Sequence, residues 1–280
     1  MPIIKQYKKK TLNEKSRWLL QSACNLTSQF GEDGIIVKIF MHIGMSKEGP
    51  WCVEFGAADG KSTSNTYNLI WNHNWRGVLI EGSREWFAKL QENCKGRNNI
   101  HPINLIVDVQ GENSLDNILK RTEIPKSFDL LSIDIDGNDY YIWESCVEFR
   151  PRIVVIEFLP TVPNDVLFIQ DLDPNINQGC SLRALIELGK TKGYELVCAT
   201  MHNAFFVVQE EFARFNIEDN SIDAMYAPAM DGRILHCYDG TIYTIGMDHI
   251  VWKRQRIAPD TLQILPKHLR TWGAAVAPQE

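Results

Sequence analysis

Two apolar rhythms alternate along the chain. Ile35, Ile36, Ile39, Phe40 and Ile43 recur at helical spacing and predict an amphipathic helix. Short, near-continuous apolar runs follow. They are 51–55, 75–80 ending at Glu81, 100–107 ending at Asp108, 128–133 ending at Asp134 and 151–156 ending at Glu157. Helical spacing separates them, over 63–71, 84–93, 113–120 and 140–146. This alternation predicts an α/β fold, a Rossmann-like doubly wound sheet with helices on both faces. Two further apolar runs, 194–200 and 204–208, are joined by Met201-His-Asn203. That connection is too short for a parallel crossover, so the second run is antiparallel. The expected sheet is mostly parallel, with one reversed strand near an edge.

The flanks are less regular. Residues 13–23 suit a short helix, and Ser28 or Asp33 is placed to cap the helix after it. Gln29, Glu32 and Asp33 read either as capping residues or as a polar segment folded over a ligand. Ser83 is placed to cap the third helix, and Ser181 starts another that stops near Gly193. Residues 158–179 show no period and hold Pro160, Pro163 and Pro174, as expected of a long functional loop over the carboxyl ends of the strands. Asp239-Gly240 predicts a small hairpin within 233–246, and 262–272 suggests a terminal helix broken by Pro266. The division this implies is an arm and helix over 1–27, a core domain over 28–208, and an extension over 209–280 that completes or caps the site.

Composition narrows the classes. A net charge of −6 argues against broad nucleic-acid binding. The 7 cysteines show no paired or zinc-finger spacing, which suits reduced thiols and a cytoplasmic protein. No apolar run approaches the ~20 residues of a membrane span. The N-terminal lysines (Lys5, Lys8, Lys9, Lys10) lack the apolar stretch of a signal peptide and read as a solvated arm. Trp71, Trp75, Trp86 and Trp143 read as core residues rather than cofactor stackers. The oligomeric state is left open, a homo-oligomer included.

The chemistry concentrates where the strands end. Glu54, Glu81, Asp108, Asp134 and Glu157 all lie there, where an open α/β sheet forms its ligand crevice. Buried carboxylates without partners are costly, so packing alone does not account for five of them. The turn Glu54-x-Gly56-x-x-x-Gly60 is neither a dinucleotide fingerprint nor a phosphate-binding loop. Glu81 ends the next strand, where an acid accepts hydrogen bonds from a ribose diol. Together they suit an adenosyl cofactor without a pyrophosphate. Asp134, Asp136, Asn138, Asp139, Glu157 and His202 are the candidates to face an acceptor. Asp136 and Asp139 may equally be read as caps of the following helix, and His202 as a solvated turn residue.

Val53-Glu-Phe-Gly-Ala-Ala-Asp-Gly60, Gly77-Val-Leu-Ile-Glu81 and Phe128-Asp-Leu-Leu-Ser-Ile-Asp-Ile-Asp-Gly137 resemble the class I S-adenosylmethionine-dependent methyltransferases, and in particular their FkbM-like branch. The resemblance spans roughly 28–208. It implies a seven-stranded sheet whose last strand is antiparallel, with S-adenosyl-L-methionine as the cofactor. By this resemblance Glu54, Gly56, Ala57, Asp59 and Gly60 line the methionine moiety, Glu81 holds the ribose and Asp108 approaches the adenine. Asp134 completes the cofactor-binding set. Ala58 departs from the glycine or asparagine usual at its position. The catalytic candidates are Asp136, Glu157 and His202. A divalent metal on these acids is an unfavoured alternative, and no metal ligands are assigned. The expected activity is O-methylation of a small-molecule or glycan acceptor. Rival readings are transfer to a nitrogen or phosphoryl-type oxygen on a sugar, and a non-catalytic binding module of the same fold.

Overall fold

The computed structural model describes residues 3–4, 12–228 and 232–272. The lysines of the N-terminal arm lie outside the described residues. Two compact units form, Thr11–Pro160 with Asn164–Ala227, and a smaller one of Met1–Lys10, Thr161–Pro163 and Pro228–Glu280.

The larger unit is built on seven strands: β1 (Trp51–Phe55), β2 (Arg76–Ile80), β3 (Ile100–Ile103), β4 (Leu130–Ile133), β5 (Ile153–Glu157), β6 (Tyr194–Ala199) and β7 (Asn203–Val208). Their order is β3-β2-β1-β4-β5-β7-β6. β1 to β5 run parallel, and β7 is antiparallel to both β5 and β6. This is the Rossmann-like, seven-stranded sheet with a reversed strand that the sequence predicts. Strand order reverses between β1 and β4, so the crevice opens at their carboxyl ends.

The helices α1 (Glu32–Ile43), α2 (Tyr67–His73), α3 (Arg84–Asn93), α4 (Leu115–Leu119), α5 (Asp139–Ser145) and α6 (Leu182–Thr191) connect and flank the strands. Ile35, Ile36, Ile39, Phe40 and Ile43 form the buried stripe of α1. Gly31, not a side chain, occupies its N-cap position. Ser28 and Asp33 still make a reciprocal pair: Ser28 Oγ accepts the Asp33 amide at 3.1 Å, and Asp33 Oδ2 accepts the Ser28 amide at 2.9 Å. Ser83 and Ser181 cap α3 and α6 as expected.

Several boundaries differ from the sequence reading. Residues 13–23 hold a 3-10 turn at Trp18–Ser22. α2 begins at Tyr67, because Ser64, Asn65 and Thr66 turn their polar groups onto Glu54 instead of entering the helix. β3 stops at Ile103, opposite the last residue of β2, and no neighbour remains to extend the ladder to Val107. Trp75 and Trp143 are core residues, whereas Trp86 is exposed under Lys89. In the smaller unit, β8 (Arg233–His236) and β9 (Ile242–Ile245) form the predicted hairpin. The terminal helix is absent among the described residues; short 3-10 turns at Pro259–Leu262 and Lys267–Leu269 stand there, separated by Pro266, which cannot continue a helix.

An ion network locks the amino ends of the strands. Asp129 is fully buried and accepts from Ser46 N, Ser46 Oγ, Trp51 N and Arg152. Arg152 also donates to the Ile43 and Gly44 carbonyls and pairs with Glu211. Arg152→Met removes the countercharge of a buried carboxylate, and urea unfolding should show a loss of about 3–5 kcal/mol. An unchanged midpoint would mean that the network contributes no net stability.

Candidate functional site

The glycine turn is shaped by one close approach. Gly56 follows β1 with φ 72°, and a Cβ there would lie 1.8 Å from the Asp134 carbonyl oxygen. Only glycine lets the turn after β1 lie against the turn after β4. Ala58 has φ 47°, in the left-handed region where glycine or asparagine is the low-cost choice. Its amide donates to Glu81 Oε2 at 2.7 Å, which holds the turn in that conformation. The amide of Gly60 closes the turn on Ala57 O, and the amide of Ala57 reaches Ile80 O.

The acids sort into different environments. Glu54 is buried within β1 and accepts from Ser64 Oγ at 2.6 Å, Thr66 Oγ1 at 2.7 Å and Asn65 N at 2.8 Å. Burial raises its pKa against these three donors, and nearby Asp33 adds to the rise. The carboxylate therefore fastens the 56–66 loop to the sheet. Asp59 does similar work further along, accepting from Lys61 N, Ser62 N and Ser62 Oγ. Glu81 is buried, with Oε1 on the Ser83 amide and Oε2 on the Ala58 amide. An ionised carboxylate has about four acceptor sites, so Glu81 keeps capacity for a diol. Asp108 stands apart. It is exposed, five positions beyond the end of β3, in an isolated bridge to Ser114. Asn104 stands where the end of β3 was expected to bring an acid, donating to Glu81 O at 2.7 Å.

At the next strand ends, Asp134 and Glu157 come together. Ile133 pairs with Ile156, so the residues that follow them are neighbours on one face of the sheet. A carboxylate oxygen of each lies within 4.8 Å of one on the other. Burial is the main cause raising both pKa values; the charges of Asp139 and Asp136 add to the rise at Asp134, and that of Asp134 to the rise at Glu157. Two acids this close do not both ionise at low cost in a poorly solvated site. Asp136 is exposed, with φ 58°, and completes the one grouping among the described residues in which three acidic oxygens lie within 4.8 Å of one another. Asp134, Asp136 and Glu157 are thus the set that could hold a divalent cation. Asp139 accepts from Ile135 N and Gly137 N, each at 2.9 Å, and shapes the turn that presents Asp136.

Two further elements close on this pair. His202 is buried rather than solvated, its ring 4.7 Å from that of Phe30. Burial lowers its pKa, against an opposing pull from Glu32, and its carbonyl accepts the Phe158 amide beside Glu157. The long loop after β5 is docked by Gln170. Its Oε1 accepts the Gln178 and Gly179 amides, and its Nε2 donates to Asn138 Oδ1 and Ile176 O. The site residues Ser64, Asn65, Thr66, Asn104 and Gln170 were not singled out from the sequence. The polar run Ser64-Asn-Thr66 after the glycine turn was a readable signal for the first three; Asn104 and Gln170 carry none.

No protein-family model matches the chain, and no curated protein matches it. Among solved structures, the CurJ carbon methyltransferase superposes with a TM-score of 0.43 at 11% identity, over 62% of this chain and 52% of that one. The METTL16 methyltransferase domain superposes at 0.43 and 14%, over 63% and 66%. The cyclase SpnF superposes at 0.40 and 10%, over 66% and 70%. The chain therefore spans about half the length of the first of these and about two thirds of the second. Superpositions this loose leave function to be argued from this chain's own side chains.

Those side chains form one row across the sheet. Glu81, Gly56 and Asp134 follow the last paired residues of β2, β1 and β4, and Glu157 pairs directly with Asn203. The left of this row offers a glycine turn and an acceptor for a diol. The right offers a carboxylate pair able to take up a proton.

Proposed function

We propose that the chain is an S-adenosyl-L-methionine-dependent methyltransferase of the FkbM-like branch, acting on an oxygen of a small-molecule or glycan acceptor. One observation carries this reading: the small-residue turn and Glu81 share a crevice with the closely placed carboxylates Asp134 and Glu157. A crevice dense in carboxylates disfavours the pyrophosphate of a dinucleotide and favours a cationic sulfonium. Gly56 lets the turns after β1 and β4 lie together at the crevice, and Glu81 retains acceptor capacity, so the residues present fit this cofactor.

When bound, the cofactor supplies an electrophilic methyl group on a positively charged sulfur. Glu81 holds the ribose hydroxyls. The 56–60 turn, fastened by Glu54 and Asp59, lines the methionine moiety. The Asp134–Glu157 pair receives the hydroxyl proton as the oxygen gains the methyl group, with Asp134 as the accepting carboxylate and Glu157 retaining its proton. Alignment of acceptor and donor contributes the remaining acceleration. No helix among the described residues is long and apolar enough to cross a membrane.

Calorimetry with S-adenosylhomocysteine tests the cofactor. Binding should be saturable and weakened about 30-fold or more in Glu81→Ala, the scale of lost hydrogen bonds to a charged group. Binding of a nicotinamide dinucleotide with no response to S-adenosylhomocysteine would refute the assignment.

A further inference from the structure

The acceptor side of the crevice has a charge pattern that the fold does not require. Segments 24–31, 134–138, 158–160, 164–181 and 200–202 contain no Lys or Arg. They do contain Asp134, Asp136, Asp165, Asp171 and Asp173, beside Glu157. Cations on adjoining elements stand on other loops or are engaged. Lys61 is on the loop after β1, with Nζ 5.8 Å from the Tyr67 ring centroid, and Arg84 begins α3 after β2. Arg183 donates to Asn164 O.

The same segments expose apolar side chains. Leu26, Phe30, Val166, Leu167, Leu172 and Met201 range from 37% exposed at Phe30 to 64% at Leu26. The segments are tied to one place. Thr27 Oγ1 donates to Ser64 O, Phe30 lies on His202, the His202 carbonyl receives the amide next to Glu157, and Gln170 binds the loop to Asn138. Exposed apolar side chains gathered beside a functional crevice mark a surface that a ligand covers.

We propose that the acceptor is a phosphate-free amphiphile, whose hydroxyl-bearing head reaches Asp134–Glu157 and whose apolar arm lies along Leu26, Phe30, Leu167 and Met201. The inference rests on the methyltransferase reading of the crevice and selects among its acceptors. A phosphorylated acceptor would bring like charge against Asp136 and the singly charged Asp134–Glu157 pair, with no cation in these segments to meet it. An apolar arm gains free energy with each buried methylene.

Titration of the protein with butyl, hexyl and octyl glucoside, below their micelle concentrations, and with hexyl phosphate, reads this directly. Affinity for the glucosides should rise about fourfold per added methylene at most, and hexyl phosphate should bind at least ~10-fold more weakly than hexyl glucoside. Leu167→Asp and Met201→Asp should flatten the chain-length dependence while leaving S-adenosylhomocysteine affinity unchanged, which also reports that they fold. Absence of chain-length dependence, its persistence in both variants, or tight hexyl phosphate binding would overturn the proposal. Failure of the wild-type protein to bind S-adenosylhomocysteine would instead remove the cofactor assignment, so the two failures are told apart.

Discussion

Asp134→Asn should lower kcat by about 10²–10⁴-fold, the range for removal of a positioned general base, while S-adenosylhomocysteine affinity stays close to wild type. The reason is the pair it forms with Glu157. Burial, with the charges of Asp139 and Asp136, pushes Asp134 to about 7, and burial with the charge of Asp134 pushes Glu157 to about 9. Between those values the pair holds one proton, so one carboxylate is free to accept another. Turnover should therefore be low below pH 6, where both groups are protonated, and rise through about 7 as the first proton leaves. Glu157→Gln keeps a hydrogen-bond donor beside Asp134 and should retain turnover within about tenfold. Equal losses in Glu157→Gln and Asp134→Asn would make Glu157 the base instead. Exhaustive chelation should leave turnover unchanged, since the step runs through the carboxylate pair; its abolition would mean that Asp134, Asp136 and Glu157 work through a cation. Turnover in Asp134→Asn indistinguishable from wild type would leave alignment alone as the source of rate.

The second large effect is expected at Gly56. Gly56→Ala places a methyl group within 1.8 Å of a backbone oxygen, at a φ of 72° that alanine rarely adopts. Neither the turn after β1 nor that after β4 can yield alone, because Glu54 and Glu81 fasten the first and Asp139 the second. The melting temperature should fall on the order of 10 °C, and cofactor binding should be lost even where the protein remains folded. Gly60→Ala is the milder comparison: its added methyl would meet the flexible end of Leu90 rather than backbone, though its φ of 72° still carries strain. Normal S-adenosylhomocysteine binding by Gly56→Ala would show that the two turns are not constrained against each other.

The sequence reading went furthest where the physics is local. Apolar runs too short for helices, separated by helical spacing, predict the parallel strands, and the three-residue link at Met201 forces the reversed pair. The end of β3 was misplaced because an edge strand continues only as far as its neighbour, and β2 stops at Ile80. Asp108 was placed at a strand end on the strength of that longer run. His202 was read in one alternative as solvated, because nothing in its neighbours along the chain announces that Phe30, far earlier, covers it.

The sequence by itself determined that this protein has an open α/β sheet, a tight small-residue turn after its first strand, and acids gathered at one end. Periodicity and turn chemistry act between residues close along the chain, so they can be read there. What those acids do was decided only by the tertiary structure. Five carboxylates at strand ends separate into one that fastens a loop, one that bridges a turn and a helix start, one that stands apart, and two that face each other closely. That sorting depends on register between strands and on burial, which set the distance between charges and the dielectric around them, and neither exists until the sheet has formed.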